Sequence, residues 1–162
     1  MMTDQEQELV SRMWKELSSS PFVMLGLAGA REAHAQPMTA FFDKDSGPIY
    51  FFTSADNSLI GALVGSPRAV VTYSAKGHDL FATLHGTLQV SNDQAVIDHF
   101  WNSRIAAWFP RGRTDPSLTL LRFDPDNSEI WEASGSVGGF FSRLMGRDPR
   151  AKAEEKVAQV AL

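Results

Sequence analysis

Short apolar or β-branched stretches recur along the chain, some of them with apolar and polar residues in strict alternation, and they predict a protein built chiefly from β-strands. The clearest example is residues 80–90, where apolar positions recur at every second residue and Gly86 interrupts them. We expect a half-buried antiparallel strand here, with a bulge or bend at Gly86. Shorter apolar or β-branched stretches predict six further strands, at residues 22–28, 33–42, 49–53, 69–75, 118–123 and 128–133. Polar turn sequences at residues 43–48 and 124–127 separate neighbouring strands, the first closing a hairpin between residues 33–42 and 49–53.

Three other stretches follow the helical period. The first begins with Thr3 and Glu6 at the spacing of a capping box and should end in the Ser-Ser-Ser-Pro sequence at residues 18–21. The second begins at about Ser58, and the third is predicted as one long helix that starts after Ser91 and ends by Pro110. Because the strands arrive mostly in hairpins, without strand–helix–strand alternation, we predict an α+β fold that is mainly β. A small antiparallel barrel of six to seven strands, closed or split, with flanking helices, fits this order.

The chain divides into two predicted segments. Residues 1–133 contain every predicted strand and the N-terminal helix, and they form the main domain. Residues 134–139 are rich in glycine and serine, and we expect a flexible connection there, followed by a short apolar helix at residues 140–145. The alanine- and charge-rich tail, residues 150–162, is predicted to be helical or frayed and peripheral.

Composition and charge narrow the range of functions. The 162 residues are 43% hydrophobic and 21% charged, with a formal net charge of −4, which argues against a dedicated nucleic-acid binder. The absence of cysteine excludes disulfides, thiolate metal sites and cysteine nucleophiles. The acidic N-terminus lacks the apolar core of a signal peptide, and no apolar run reaches the length of a membrane span. We therefore expect a soluble, cytoplasmic protein.

Familiar catalytic motifs are missing. The four histidines are scattered, without the spacing of a zinc-protease helix or a companion ligand set, so we expect no metal site. The sequence has no Gly-x-Ser-x-Gly elbow, and its glycine-rich segment lacks the Lys-Ser/Thr pair of a P-loop. No catalytic residue is assigned.

Two stretches are candidates for ligand binding. In the first, the apolar strand at residues 49–53 runs into a helix preceded by Ser54, Asn57 and Ser58. A strand that leads into a capped helix directs backbone N–H groups at one spot, which suits an anion such as phosphate, although an ordinary strand-to-helix turn has the same pattern. In the second stretch, residues 106–113, large aromatic side chains precede two arginines. They form either a corner of the core or the wall of a site for a flat aromatic ligand with an anionic group.

An ordered set of short segments extends this interpretation. They are Gln36-Pro37-Met38, Tyr50-Phe51-Phe52-Thr53, Asp56-Asn57-Ser58, Leu84-His85-Gly86-Thr87, Asp93, Ala107-Trp108-Phe109-Pro110-x-Gly112, Asp115-Pro116 and Leu120-Leu121-Arg122-Phe123. Together, over residues 10–133, they resemble the flavin-binding split-barrel superfamily of pyridoxamine phosphate oxidase-like proteins, in its general stress protein branch. The resemblance implies an antiparallel split β-barrel.

The same resemblance implies a homodimer that binds FMN in clefts at the subunit interface, with redox chemistry carried by the flavin. Backbone atoms of the second strand would contact the flavin ring, the third strand and the helix start would hold the phosphate, and the aromatic loop would line the cleft. The implied cofactor-binding residues are Gln36, Pro37, Met38, Phe52, Thr53, Ser54, Asn57, Ser58, Leu59, Trp108, Phe109 and Arg111.

Two positions depart from the family pattern. Gln36 stands where members usually have arginine, and Ser58-Leu59 stands where they usually have lysine. Losing two charged contacts would weaken FMN binding by roughly two to four powers of ten, unless other groups replace them. The candidate substitutes are the helix N-terminus and the side chains of Ser54, Asn57, Ser58, Arg31, Arg111 and Arg113. Leu59→Lys is accordingly expected to tighten FMN binding. The alternatives are a split barrel that has lost FMN and serves as a binding or structural module, or one that holds FAD, a deazaflavin or haem in the same cleft.

Overall fold

Seven antiparallel strands and four α-helices make up the described part of the protein. The computed structural model describes residues 1–29, 34–43, 47–63, 67–133 and 155–162. The strands are β1 (Phe22–Leu27), β2 (Gln36–Thr39), β3 (Ile49–Ser54), β4 (Arg68–Ser74), β5 (Leu80–Val90), β6 (Leu118–Ala133) and β7 (Glu155–Ala161). The helices are α1 (Asp4–Ser19), α2 (Ser58–Ala62), α3 (Gln94–Phe100) and α4 (Ser103–Trp108), followed by a 3-10 turn at Gly112–Thr114. In this part of the chain, every helix is too short or too polar to cross a membrane.

The sheet is a split barrel, as predicted. Its strand order is β2-β1-β4-β5-β6-β3, and β7 also pairs with β6. The two ends of this order, β2 and β3, meet at a single antiparallel bridge between Phe41 and Tyr50, with N···O distances of 2.9 and 2.7 Å. The predicted hairpin between residues 33–42 and 49–53 is therefore wrong in extent, because β2 pairs with β1 instead and leaves the barrel open along this line.

The long strand β6 links the two halves of the sheet. Its first part pairs with β3 and its last part with β7, while β5 runs along its other side. A turn was predicted at residues 124–127, and this is wrong because the ladder continues through these residues. The register between the two strands shifts by one residue between His85 and Gly86, and the extra residue is Asp126 of β6. The irregularity predicted at Gly86 is therefore present, with its extra residue on the partner strand. Leu80, Ala82, Leu84 and Leu88 are buried as predicted, but Val90 is exposed at the end of the strand.

The C-terminal residues form a strand rather than a helix. Glu155–Ala161 pairs with β6, and Ala158 and Val160 are buried in the barrel core. The prediction of a helical or frayed, peripheral tail is wrong for these residues. Alanine favours a helix locally, but the alternation of buried and exposed residues at 157–160 matches the free part of the β6 edge. Residues 134–154, which include the predicted glycine-rich connection and short apolar helix, lie outside the described residues.

The predicted long helix is two helices. Asp93 caps α3 by accepting a hydrogen bond from the Ala95 N–H at 2.9 Å, and Asn102 caps α4 by accepting from the Ile105 N–H at 2.9 Å. Asparagine binds backbone N–H groups at a helix start better than it continues a helix, so Asn102 ends the first helix and begins the second. The capping box of α1 is present as predicted, with the backbone and side chains of Thr3 and Glu6 bonded reciprocally.

Two hydrophobic clusters flank β3. The barrel core lies inside the sheet and beneath α1, and its largest fully buried members include Leu9, Met13, Leu17, Leu25, Phe51, Leu84 and Phe123. The outer core lies on the other face of β3 and β6, under α3 and α4, and consists of Tyr50, Ile97, Ile105, Phe109, Leu118 and Leu120. Because both faces of β3 are covered, its sequence is a continuous apolar run, and the polar residues that follow it are held at a rigid point.

Candidate functional site

Four polar side chains from two parts of the chain meet where β3 ends. Asn57 donates from Nδ2 to Thr53 Oγ1 at 2.8 Å and to Gln36 Oε1 at 2.7 Å. Gln36 in turn donates from Nε2 to the Ser58 hydroxyl oxygen at 2.9 Å. We call Gln36, Thr53, Asn57 and Ser58 the polar cluster. It joins the first residue of β2 to the connection between β3 and α2.

A backbone group fixes the direction of both amides in the polar cluster. The Leu59 N–H donates to Asn57 Oδ1 at 2.9 Å, so the Nδ2 of Asn57 must face the other members. Because Asn57 Nδ2 is a donor, the Gln36 atom that faces it must be the acceptor Oε1. The Nε2 of Gln36 therefore faces Ser58. The side chains are therefore held in one arrangement before any ligand binds.

Counting hydrogens shows what the polar cluster can still offer. Asn57 uses both Nδ2 hydrogens within the cluster. Among the described residues, the hydroxyls of Thr53 and Ser58 each accept one bond and keep their own hydrogen to donate, and Gln36 Nε2 keeps its second hydrogen. Three neutral donors are thus available to an acceptor with several oxygens, such as a phosphate. The helix itself adds little, because α2 has only five residues and its Leu59 N–H already donates to Asn57. The side chains therefore supply the donors.

Leu59 does not face the polar cluster. Its side chain is 1% exposed and belongs to the barrel core, whereas the neighbouring Ser58 is exposed. The expectation that Leu59 contacts a phosphate is wrong for the side chain, because the helical turn after Asn57 directs it inward. A substitution intended to add a charge at the surface should therefore be made at position 58.

The other predicted residues of β2 and β3 lie beside the cluster. Pro37 is exposed and Met38 is half-buried, packed against the barrel core, so β2 presents its backbone along this side of the barrel. Ser54 accepts the Asn57 N–H at its carbonyl oxygen, at 3.0 Å, and so shapes the turn. Phe52 packs edge-on against Phe41, with ring centroids 5.3 Å apart, and contributes to the outer core.

The aromatic loop after α4 is a separate feature within one chain. Phe109 is 6% exposed and is part of the outer core, which fits the core-corner interpretation, whereas Trp108 is 82% exposed. A role for Trp108 in the wall of a ligand site stays a prediction. Arg111 is exposed, and no hydrogen bond or ion pair joins it or Trp108 to the polar cluster within the described residues. Arg113 is held by Asp98 at 3.4 Å.

Asp115 organises that loop. Its buried carboxylate accepts the backbone N–H and hydroxyl of Ser117, at 2.9 and 2.7 Å, and the backbone N–H of Arg111 at 3.1 Å. These hydrogen bonds, chiefly those from Ser117, lower the pKa of the Asp115 carboxyl below its ordinary value. Asp115 therefore has a structural role, which sequence analysis did not predict, since it noted Asp115-Pro116 only among the family-like segments. Arg31, the third arginine considered, lies outside the described residues.

Comparison with known proteins agrees with this architecture. Residues 8–148 match the sequence profile of the family described as pyridoxamine 5'-phosphate oxidase like. The chain is 23% identical to general stress protein 26 of Bacillus subtilis (strain 168) over 131 residues, 79% of this chain and 91% of the relative.

Two solved structures are more similar in sequence. A general stress family protein from Xanthomonas campestris pv. campestris is 48% identical, with a TM-score of 0.77, over 83% of this chain and 93% of that one. The general stress FMN/FAD binding protein from Xanthomonas citri is also 48% identical, with a TM-score of 0.76, over 80% of this chain and 92% of that one. With its split barrel, its motifs in order and a profile match over most of its length, this chain belongs to the pyridoxamine 5'-phosphate oxidase-like family, in its general stress protein branch.

Proposed function

We propose that the chain binds a flavin, FMN or FAD, with a phosphate group at the polar cluster, and acts in redox chemistry through that flavin. The observation that carries the proposal is the hydrogen-bonded network of the polar cluster, in which three donors keep a hydrogen for a ligand, at the place where the family resemblance puts the phosphate. The similar Xanthomonas citri protein, described as FMN/FAD binding, supports the choice of ligand.

The chain's own residues would bind and orient the cofactor. Thr53, Ser58 and Gln36 would donate to the phosphate, while Pro37 and Met38 would place β2 backbone along the ring. When bound, a flavin supplies hydride and single-electron transfer, and the protein contributes position and electrostatic environment. The cation usual at position 36 is replaced by a glutamine that is already paired, so phosphate binding here depends on hydrogen bonds.

The proposal is tested by flavin titration of the freshly purified protein. We expect visible flavin absorption, or quenching of FMN fluorescence when FMN is added. Thr53→Val should weaken FMN binding about tenfold, because one donor to a charged acceptor is lost, and should leave riboflavin binding unchanged. Thr83→Val, the same change on β5, is the control. A colourless protein that leaves FMN fluorescence unchanged at high concentration would favour the alternative, a split barrel that has lost its flavin.

We also propose a homodimer, in which the second copy covers exposed apolar side chains. Trp108 and Phe22 are 82% and 60% exposed, more than is usual for such large apolar residues on an isolated domain. Light scattering is expected to give the mass of a dimer. Trp108→Ala should raise the dimer dissociation constant about tenfold or more, since buried tryptophans often dominate interfaces, whereas Arg104→Ala on the same helix should change it little. A monomer at working concentration would contradict the proposal.

A further inference from the structure

We infer that the polar cluster recognises the flavin phosphate by neutral hydrogen bonds alone, so that FMN and FAD bind with similar affinity and little dependence on salt. This inference rests on the flavin binding proposed above. It concerns whether the site prefers a phosphate with one negative charge or with two, which family membership does not determine.

The first step is the charge at the site. All four members of the polar cluster are uncharged, and the charged residue in the connection between Thr53 and Ser58 is Asp56, an exposed carboxylate. A bound phosphate therefore meets donors without a compensating cation from these residues. A short helix with one of its first N–H groups already bonded adds little positive potential.

The second step is where the positive charges are. Four of the six arginines in the described part of the chain are held by carboxylates elsewhere: Arg12 by Asp79 and Glu132, Arg68 by Asp126, Arg113 by Asp98 and Arg122 by Asp124. The other two, Arg104 and Arg111, lie in or after α4, and among the described residues neither makes a hydrogen bond or an ion pair with the cluster. Moving one of the four paired arginines to the cluster would break its ion pair. The glutamine at position 36 is likewise committed, because its oxygen accepts from Asn57 and its nitrogen donates to Ser58.

The third step is what such a site can discriminate. A phosphomonoester such as FMN carries between one and two negative charges near neutral pH, with a second pKa of about 6, whereas each phosphate of FAD carries one charge. A cationic site favours the more highly charged group, and salt screens that preference. Neutral donors respond to the number and direction of acceptor oxygens. The FMN phosphate offers three terminal oxygens, whereas the flavin-side phosphate of FAD offers two and the oxygen that bridges to the second phosphate, so the two groups differ by at most one hydrogen bond, worth about tenfold in affinity. Ser58 is exposed, so a substituent beyond the phosphate can extend into solvent.

The test compares dissociation constants for FMN and FAD at low and high salt, by fluorescence quenching with the full chain. We expect the two constants to agree within about tenfold and each to change less than about threefold between roughly 0.05 and 0.5 M salt. Gln36→Arg should tighten FMN binding about tenfold or more, favour FMN over FAD, and make binding salt-dependent. Gln5→Arg adds the same charge on α1, which packs against β6 and β7, and should alter none of these quantities.

A second variant guards against damage to the network. Ser58→Lys adds a cation while leaving the Gln36–Asn57 bond in place, and it should shift the FMN preference in the same direction as Gln36→Arg. If the unmodified chain binds FMN more than about a hundredfold better than FAD, or loses affinity steeply with salt, a cation reaches the phosphate and the inference is overturned, although flavin binding stands. If neither variant changes the FMN-to-FAD ratio, the phosphate lies elsewhere and the inference is overturned. If no flavin binds, the proposed function fails, and this inference with it.

Discussion

Gly86→Ala is expected to destabilise the protein by about 3–5 kcal/mol, one of the largest effects of any single substitution in this chain. A Cβ atom at position 86 would lie 2.1 Å from the Asp124 carbonyl oxygen and 2.8 Å from the Asp124 carbonyl carbon and Pro125 Cα. All three are backbone atoms of β6, so no side-chain rotation relieves the clash, and the two strands must separate at the bulge. The urea midpoint of unfolding measures the effect.

Gly61→Ala is the matched control for this prediction. Gly61 lies in α2, is exposed, and has no atom within 4 Å of where its Cβ would be. Alanine should stabilise the protein there by up to about 1 kcal/mol, because it restricts the unfolded chain and favours the helix. Equal midpoints for the two variants would show that β5 and β6 do not approach as closely as described.

Leu59→Lys is expected to destabilise the protein by about 3–5 kcal/mol and not to tighten FMN binding. The leucine side chain is 1% exposed and lies in the barrel core, so the variant loses apolar packing. The lysine ammonium group must then either be buried in the core or move out to solvent and disturb the helix. Chemical denaturation followed by tryptophan fluorescence measures the loss.

Ser58→Lys places the same charge one residue earlier, on an exposed side chain. Its effect on stability should stay within about 0.5 kcal/mol, as is usual for surface substitutions. Comparing the two variants separates the roles of positions 58 and 59, which the family pattern treats together. Position 59 supports the core, and position 58 faces the solvent. A Leu59→Lys protein with ordinary stability and tighter FMN binding would mean that this side chain reaches the phosphate after all.

Local physical chemistry accounts for the elements that sequence analysis predicted correctly. The capping box at Thr3 and Glu6 and the alternation in β5 depend on residues close in sequence, so their patterns are readable without a fold. Gly86 was identifiable for the same reason, because it breaks an otherwise regular strand.

The wrong predictions arose where local preference and tertiary pairing disagree. Residues 124–127 favour a turn on their own, yet they remain in β6, where Asp126 is an extra residue opposite the step from His85 to Gly86 and the ladder continues on both sides of it. The C-terminal residues favour a helix on their own, but the last part of β6 offers them an unpaired strand edge. Asparagine is a typical helix cap, and Asn102 serves as one. The apolar stripe continues on both sides of it, however, and this favoured the prediction of one uninterrupted helix.

The sequence by itself determined the fold class, the family, and the place where β3 meets a capped helix. It also showed that the usual cations at positions 36 and 58–59 are absent. Only the tertiary structure decided that Gln36 pairs with Asn57 and Ser58, about twenty residues away, because that contact depends on β2 lying beside the end of β3. Packing likewise decided that the Leu59 side chain points inward. A short helix can direct either residue 58 or residue 59 towards the core, and the barrel core accommodates the leucine side chain.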